Sequence, residues 1–242
     1  MPHSFDAEYA ERSIPQYERA VEQAGGEPVR IVLDQTAAEV AKIIERCQGV
    51  LLPGSKADVD PVRFGAPRSP HTATADARRD AVDNLLLEDA YILGKPVLGI
   101  CYGLQSLNVF REGSLIQHIP DFLPKELRAR VDHEAGKNVA VAHSVDVEKG
   151  STLAAILNGN DSPGAVKKFA IPVNSSHHQS AEVIGRGLRI SARCSEDGII
   201  EALEGTAADH FVLAVQWHPE RSVDQDEPSK AIFRALVKAA GQ

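Results

Sequence analysis

PVLGICYGLQSLNVF, residues 96–110, reads as a buried strand that runs straight into a helix. PVLGI (96–100) is short, apolar and uncharged, the pattern of a strand covered on both faces. GLQSLNVF (103–110) returns to helical spacing, and between the two stands Cys101, with Gly99 and Gly103 two residues on either side. A G-x-C-x-G string at a strand-to-helix junction has a steric rationale, because small flanking residues allow a tight turn that exposes the central side chain at the C-terminal edge of the sheet. The thiol then also meets a helix N-terminus, whose partial positive charge favours a thiolate. The bland alternative is a small core hydrophobe, the usual state of a lone cysteine after a buried strand.

A thiol nucleophile needs an imidazole to take its proton and later protonate the leaving group. AVQWHPE (214–220) ends an apolar run in His218 and Glu220, with Pro219 restricting the backbone between them. A bend there brings a carboxylate beside the second ring nitrogen, the orienting role of a triad. The competing reading of this segment is a surface histidine and a surface glutamate.

Working outward, SIPQYERAVEQA (13–24) carries Ile14, Tyr17 and Val21 at helical spacing before Gly25-Gly26. PVRIVL (28–33) has the β-branched density of a strand, TAAEVAKIIERC (36–47) a helix with Thr36 as cap and Glu39 three residues on, and GVLLPG (49–54) a second strand. A loop rich in Asp, Pro and Gly leads to a helix over 75–94, with Ala81, Leu85, Tyr91 and Ile92 among its apolar positions. This alternation predicts a mostly parallel sheet covered by helices. After residue 138 the short strands and Gly, Asn or Asp turns predict hairpins or antiparallel additions beside that core. PSKAIFRALVKAA (228–240) closes the pattern as a helix on one sheet face.

The 242 residues, 43% apolar and 25% charged, suit one α/β domain over 1–242 with a sizeable core. The formal charge of -8 disfavours nucleic-acid and acidic-membrane partners. No apolar run approaches the roughly 18 residues of a membrane span, and the polar N-terminus is no signal peptide. Cys47, Cys101 and Cys194 form no CxxC pair, so a reducing, cytoplasmic setting is expected. No GxxxxGK[ST] or strand-linked GxGxxG is present, and no cofactor is expected.

In its elbow and its late QWHPE block together, the chain resembles the class I glutamine amidotransferase superfamily, and within it the peptidase C26 branch that includes γ-glutamyl-γ-aminobutyrate hydrolases. PVLGICYGLQSLNV matches the family elbow and VQWHPE its late motif. The resemblance implies a flavodoxin-like three-layer fold, Cys101 as nucleophile, His218 as base and Glu220 as orienting acid. GVLLPGSKADVDP is similar to the family's oxyanion loop, with Gly54-Ser55-Lys56 in place of its glycine-rich start. It assigns oxyanion donors to the main-chain N–H groups near Ser55 and Tyr102. VNSSHHQS (173–180) resembles a VNSxHxQ segment and makes His177 and Gln179 substrate-pocket candidates, with Gln105 in the first turn after the nucleophile as a third. His143 resembles a position at the active-site edge. Paired His177 and His178 also suggest a metal, but no HExxH pattern or cysteine pair supports one, so none is expected. Lys95, Arg111 and Arg221 take no role from their positions.

The family opens on a short I-G-I strand that MPHSFDAEYAE lacks. The first family strand is therefore expected to be missing, either because the sequence begins late or because another segment covers the gap. The resemblance implies hydrolysis of a small γ-glutamyl compound, such as γ-glutamyl-GABA, through a thioester. It leaves open a glutaminase subunit that feeds ammonia to a synthetase partner, a homodimer, and a catalytically silent binding protein.

Overall fold

The computed structural model of the chain describes residues 3, 4, 6–158 and 169–241. In chain order it contains α1 (Ala7–Gln23), α2 (Ala37–Ile44), β1 (Val50–Leu52), α3 (Ala77–Leu93), β2 (Val97–Ile100) and α4 (Tyr102–Phe110). There follow β3 (Leu115–Ile116), the single turns α5 (Ile119–Phe122) and α6 (Lys125–Arg128), β4 (His143–Val147) and α7 (Thr152–Leu157). Then come β5 (Phe169–Val173), β6 (Ser180–Ala181), β7 (Leu188–Cys194), β8 (Ile200–Gly205), β9 (Val212–Val215) and α8 (Glu227–Ala240).

Seven strands form one sheet in the order β1-β2-β9-β8-β7-β4-β5, and β3 pairs with β6 apart from it. Among the described strands of this sheet β1–β2 and β2–β9 are parallel, whereas β9–β8, β8–β7, β7–β4 and β4–β5 are antiparallel. The expectation of a mostly parallel, flavodoxin-like sheet is therefore wrong: this is a mixed α/β sheet of mostly antiparallel strands. Strand–helix alternation ends at α4, and the close connections from β7 to β8 and from β8 to β9 join neighbours that can only run antiparallel.

Segment 28–33 corrects a second expectation, since among the described residues it forms no strand. Its apolar side chains are used differently: Ile31 and Leu33 pack with Val40, Ile44 and Val82 on α2 and α3. A cavity of about 450 Å³ lies between this segment and the outer edge of β1, lined by Val29, Ile31, Val50, Leu51 and Val237 among others. At the front, α1 begins at Ala7 on an Asp6 cap, with Asp6 accepting from the Tyr9 N–H at 2.8 Å. Thr36 and Glu39 form the reciprocal capping box that starts α2.

Two apolar layers sandwich the sheet. Tyr17 and Ala20 of α1, Leu153 of α7 and Phe233 of α8 pack with Leu98, Ile100, Leu213 and Val215. On the other side Leu104 and Leu107 of α4 and Leu87 of α3 pack with Val50, Leu52 and Val97. Full burial of a residue such as Phe233, 0% exposed, contributes roughly 2–3 kcal/mol. The buried face of α3 departs from its apolar reading. Ile92 is 80% exposed and Ala81 is exposed, whereas Arg79, Asp80 and Asp83 are buried. Arg79 Nε meets Asp83 Oδ1 at 2.6 Å, its Nη2 donates to the Pro53 carbonyl at 2.7 Å, and its guanidinium lies over the Tyr102 ring.

The elbow is set by contact. A Cβ on Gly103 would sit 2.2 Å from the Leu52 carbonyl oxygen, and one on Gly99 2.8 Å from the Gly103 carbonyl oxygen. Gly103→Ala should destabilise the fold by about 3 kcal/mol in urea unfolding, because the clash is with backbone and cannot be relieved by a rotamer. Gly241→Ala, whose nearest new contact is an ordinary 3.7 Å, should stay within about 0.5 kcal/mol of the parent.

Candidate active site

Cys101 stands at the end of β2, as the residue preceding α4, with φ 54° and ψ -106°. A side chain at positive φ costs of order 1–3 kcal/mol, and the glycine contacts above hold it there. The strain turns the thiol out of the sheet toward a cavity of about 810 Å³ lined by Cys101, His218, Glu220, Ser55, Gln105, His177 and Gln179, with Tyr9, Lys56, Lys137 and Arg221 among others.

His218 follows β9, the strand that pairs with β2, so parallel pairing brings its imidazole beside the elbow. Its Nδ1 lies 2.7 Å from Glu220 Oε1. Both residues are almost fully buried, and the turn Pro219–Arg221 folds the carboxylate back onto the ring. Burial disfavours the imidazolium, but the Glu220 carboxylate and the Cys101 sulfur outweigh it and push the His218 pKa up to about 9. Burial likewise acts to raise Glu220, and its charged neighbour His218 more than offsets this and holds it below the usual range. Gly54 makes room for the pair: a Cβ there would come within 2.9 Å of His218 Cε1.

Asn174 brackets the His218 backbone, a contact that no motif marks. Its Nδ2 donates to the His218 carbonyl at 2.9 Å while its Oδ1 accepts from the His218 N–H at 2.9 Å. The signal was in VNSSHHQS, but a bracket on another segment's backbone has no sequence spacing. The Ser55 and Tyr102 main-chain N–H groups have no hydrogen-bond acceptor among the described residues. The Tyr102 side chain turns away, its hydroxyl donating to Asp80 at 2.7 Å.

The remaining candidates divide. Gln105 lines the cavity and donates from Nε2 to the Gln179 carbonyl and Gln216 Oε1, each at 3.3 Å. Gln179 is 1% exposed, with its Nε2 on the Gln117 carbonyl. His177 borders the cavity, yet both its ring nitrogens are engaged, with the Gln179 carbonyl and with Glu201. His178 instead faces Asp58 at 3.0 Å. His143 does not line the cavity and is buried beside Glu201. Lys95 bonds to the Ile44 carbonyl before β2, at the opposite end of that strand from Cys101, and Arg111 bonds to the Arg186 carbonyl.

The α/β scaffold holds a cysteine on a strained elbow and a His–Glu pair on the neighbouring strand end, and its relatives make it a glutamine-amidotransferase-like hydrolase. The chain belongs to the Peptidase C26 family, whose profile matches residues 2–220, and thereby to the class I glutamine amidotransferase superfamily. It is 34% identical over 229 residues to the γ-glutamyl-γ-aminobutyrate hydrolase of Escherichia coli (strain K12), covering 92% of this chain and 84% of that protein. A Mycobacterium tuberculosis protein provisionally named a glutamine amidotransferase is 37% identical over 227 residues, covering 93% of this chain, and the chain spans 66% of its length. Among solved structures, the glutaminase domain of Trypanosoma brucei CTPS, with acivicin bound, shares the fold with a TM-score of 0.59 at 19% identity, covering 99% of this chain and 91% of that one. No helix among the described residues is long and apolar enough to cross a membrane.

The raised His218 pKa carries a stability consequence. Its contribution is complete below the unfolded value near 6.5 and is lost as pH rises through about 9. The stability difference between the parent and His218→Gln, measured by urea unfolding, should therefore shrink by on the order of 3 kcal/mol between pH 6 and pH 10. A difference that grows over that interval would mean the imidazole is neutral in the folded protein.

Proposed function

We propose that this protein hydrolyses the γ-glutamyl amide bond of a small γ-glutamyl compound, such as γ-glutamyl-GABA, through a thioester on Cys101. The observation that carries this reading is the strained thiol beside an imidazole whose other nitrogen is held by Glu220 at 2.7 Å, all opening into one cavity. The named activity of the E. coli relative, 84% of whose length is covered, supports the choice of substrate class.

In this reading residues 1–242 act as one domain. The Cys101 thiolate attacks the γ-carbonyl carbon, and the tetrahedral oxygen is met by the Ser55 and Tyr102 N–H groups. His218, its Nδ1 fixed by Glu220, gives a proton from Nε2 to the departing amine as the C–N bond breaks. It then takes a proton from water, which adds to the thioester carbonyl; the C–S bond breaks, glutamate leaves, and the thiolate is restored. Gln105 and Gln179 line the space for the glutamyl portion, and His177 supports that wall. Arg221 borders the same space, together with Lys56 and Lys137, which pair with Asp6 and Glu134, and these cations are candidates to meet a carboxylate-bearing substrate.

Glutamate release should be measured over γ-glutamyl-GABA, other γ-glutamyl amines, γ-glutamyl dipeptides and glutamine. A γ-glutamyl amine should be turned over, with Cys101→Ala lowering kcat by roughly 10⁴-fold or more and Glu220→Gln by at least about 100-fold. Turnover of glutamine alone, strengthened by a co-purifying synthetase, would replace this reading with a partner-dependent glutaminase. A folded parent that releases nothing would leave a binding role.

A further inference from the structure

Beside the cavity, four side chains from four separate segments converge in the interior. His133 lies in the loop after α6, His143 opens β4, His177 lies in the loop between β5 and β6, and Glu201 sits on β8. All are at most 6% exposed. His133 Nδ1 and His177 Nε2 each lie 3.1 Å from Glu201 Oε1, and His143 Nε2 lies 3.3 Å from it. The four ligand atoms all fall within 4.8 Å of one another.

The hydrogen-bond inventory of the three rings is the decisive point. His133 Nε2 is 2.8 Å from Asp197 Oδ2, His177 Nδ1 is 2.7 Å from the Gln179 carbonyl, and His143 Nδ1 is 3.3 Å from the Ser144 carbonyl. A carbonyl or ionised carboxylate only accepts, so each of these outer nitrogens carries the hydrogen, and in a neutral imidazole the inner nitrogen is then a bare lone pair. Three inner lone pairs would face one carboxylate oxygen, a purely repulsive arrangement. A proton on one ring lets that ring donate to Glu201, but each further proton sets a second imidazolium beside the first, with ring centroids of His133 4.6 Å from His143 and 5.0 Å from His177. Among the described residues His143 Nε2, buried 3.3 Å from Glu201 Oε1, makes no hydrogen bond of good geometry. A cation at the centre turns all of these groups into ligands at once.

We propose that His133, His143, His177 and Glu201 form a four-coordinate site for a divalent transition-metal ion, with zinc the best fit. Zinc–ligand bonds of about 2.0–2.1 Å place tetrahedral ligand atoms about 3.3 Å apart, which matches the separations from Glu201. Nitrogen and carboxylate donors suit zinc among the borderline ions. Each histidine also has the outer acceptor that fixes the tautomer of a metal-bound imidazole, and Asp197–His133 repeats the carboxylate–histidine–metal arrangement. Asp197 is itself oriented by the Ile199 N–H, which donates to its Oδ1 at 3.0 Å. Cys194 lies within ligand reach of His133 and Asp197 at the edge of the cluster.

Four protein donors close the coordination sphere, so the site is structural. It ties loop 133–137 to loop 174–179, already joined by the His177 N–H to the His133 carbonyl at 2.9 Å and the Gly136 N–H to the Ser175 carbonyl at 2.9 Å. Those loops carry Glu134, Lys137, His178 and Gln179 of the cavity wall and Asn174, which brackets His218. The metal would thus hold the wall of the active site without touching substrate.

The test is elemental analysis of the full chain, purified without a polyhistidine tag. About one zinc per chain should survive dialysis, and its removal by a strong chelator should lower the thermal midpoint, with recovery on adding Zn²⁺. Co²⁺ added to the stripped protein should give the intense ligand-field bands of a tetrahedral site. Asp197→Asn, which leaves the four ligands in place, should weaken zinc affinity about 10- to 100-fold. Glu201→Gln should abolish stoichiometric binding; if that variant does not fold, the cobalt spectrum of the parent decides. His71→Ala, in the exposed His71, His118 and Asp121 group, should leave the stoichiometry at one. The proposal is overturned if the folded parent neither contains nor takes up Zn²⁺ or Co²⁺, or if binding is lost in His71→Ala and kept in Glu201→Gln.

Discussion

The structure hangs on one close approach, that of the α4 backbone to the end of β1. At Gly103 there is no space for a single carbon, since it would lie 2.2 Å from the Leu52 carbonyl oxygen. Because helix and strand meet there without a spacer, the chain between β2 and α4 must reverse in one residue, and Cys101 takes the positive φ that makes this happen. Strain of that size survives only where the surroundings over-determine the conformation. Gly99, packed on the same Gly103 carbonyl, supplies the second restraint.

Buried polar groups then hold what the elbow presents. Behind it, Arg79 links Asp83, the Pro53 carbonyl and the Tyr102 ring, while the Tyr102 hydroxyl is taken by Asp80. In front, Asn174 brackets His218 and Glu220 orients its ring. Removing one member of such a buried set leaves its partner unsatisfied, at a cost of about 1–3 kcal/mol for a polar group and more for a charge. Among these contacts Glu220 pushes His218 toward its charged form in a place where burial alone would disfavour it. The Glu201 cluster adds a third such centre, and it shares loop 174–179 with the active site.

Legibility followed the range of the interaction. The capping box at Thr36 and Glu39 and the strand-to-helix junction at Cys101 depend on neighbours within a few residues, and so were visible in order along the chain. PVRIVL carried the composition of a strand, but pairing needs a partner backbone about 4.8 Å away, and its side chains found α2 and α3 instead. The buried face of α3 carries Arg79, Asp80 and Asp83 because Arg79 meets Asp83 and the Pro53 carbonyl while Asp80 accepts from the Tyr102 hydroxyl, and no spacing along α3 announces those distant partners. Sheet direction departs from the alternation of the first 110 residues because the later strands β4, β5, β7 and β8 supply most of the pairings, and these run antiparallel.

By itself the sequence determined the chemistry at hand: a thiol between two glycines, an imidazole and carboxylate two residues apart, and the local turns that begin and end the helices. Those depend on steric and hydrogen-bond rules acting over a few bonds. Tertiary structure alone decided that β9 lies beside β2, which brings residue 218 to residue 101, and that Asn174 braces the His218 backbone. It also decided that residues 133, 143, 177 and 201 share one buried point. The physical reason is that each of these contacts joins segments whose separation along the chain carries no periodicity, so only the packing of the whole sheet and its loops could bring them together.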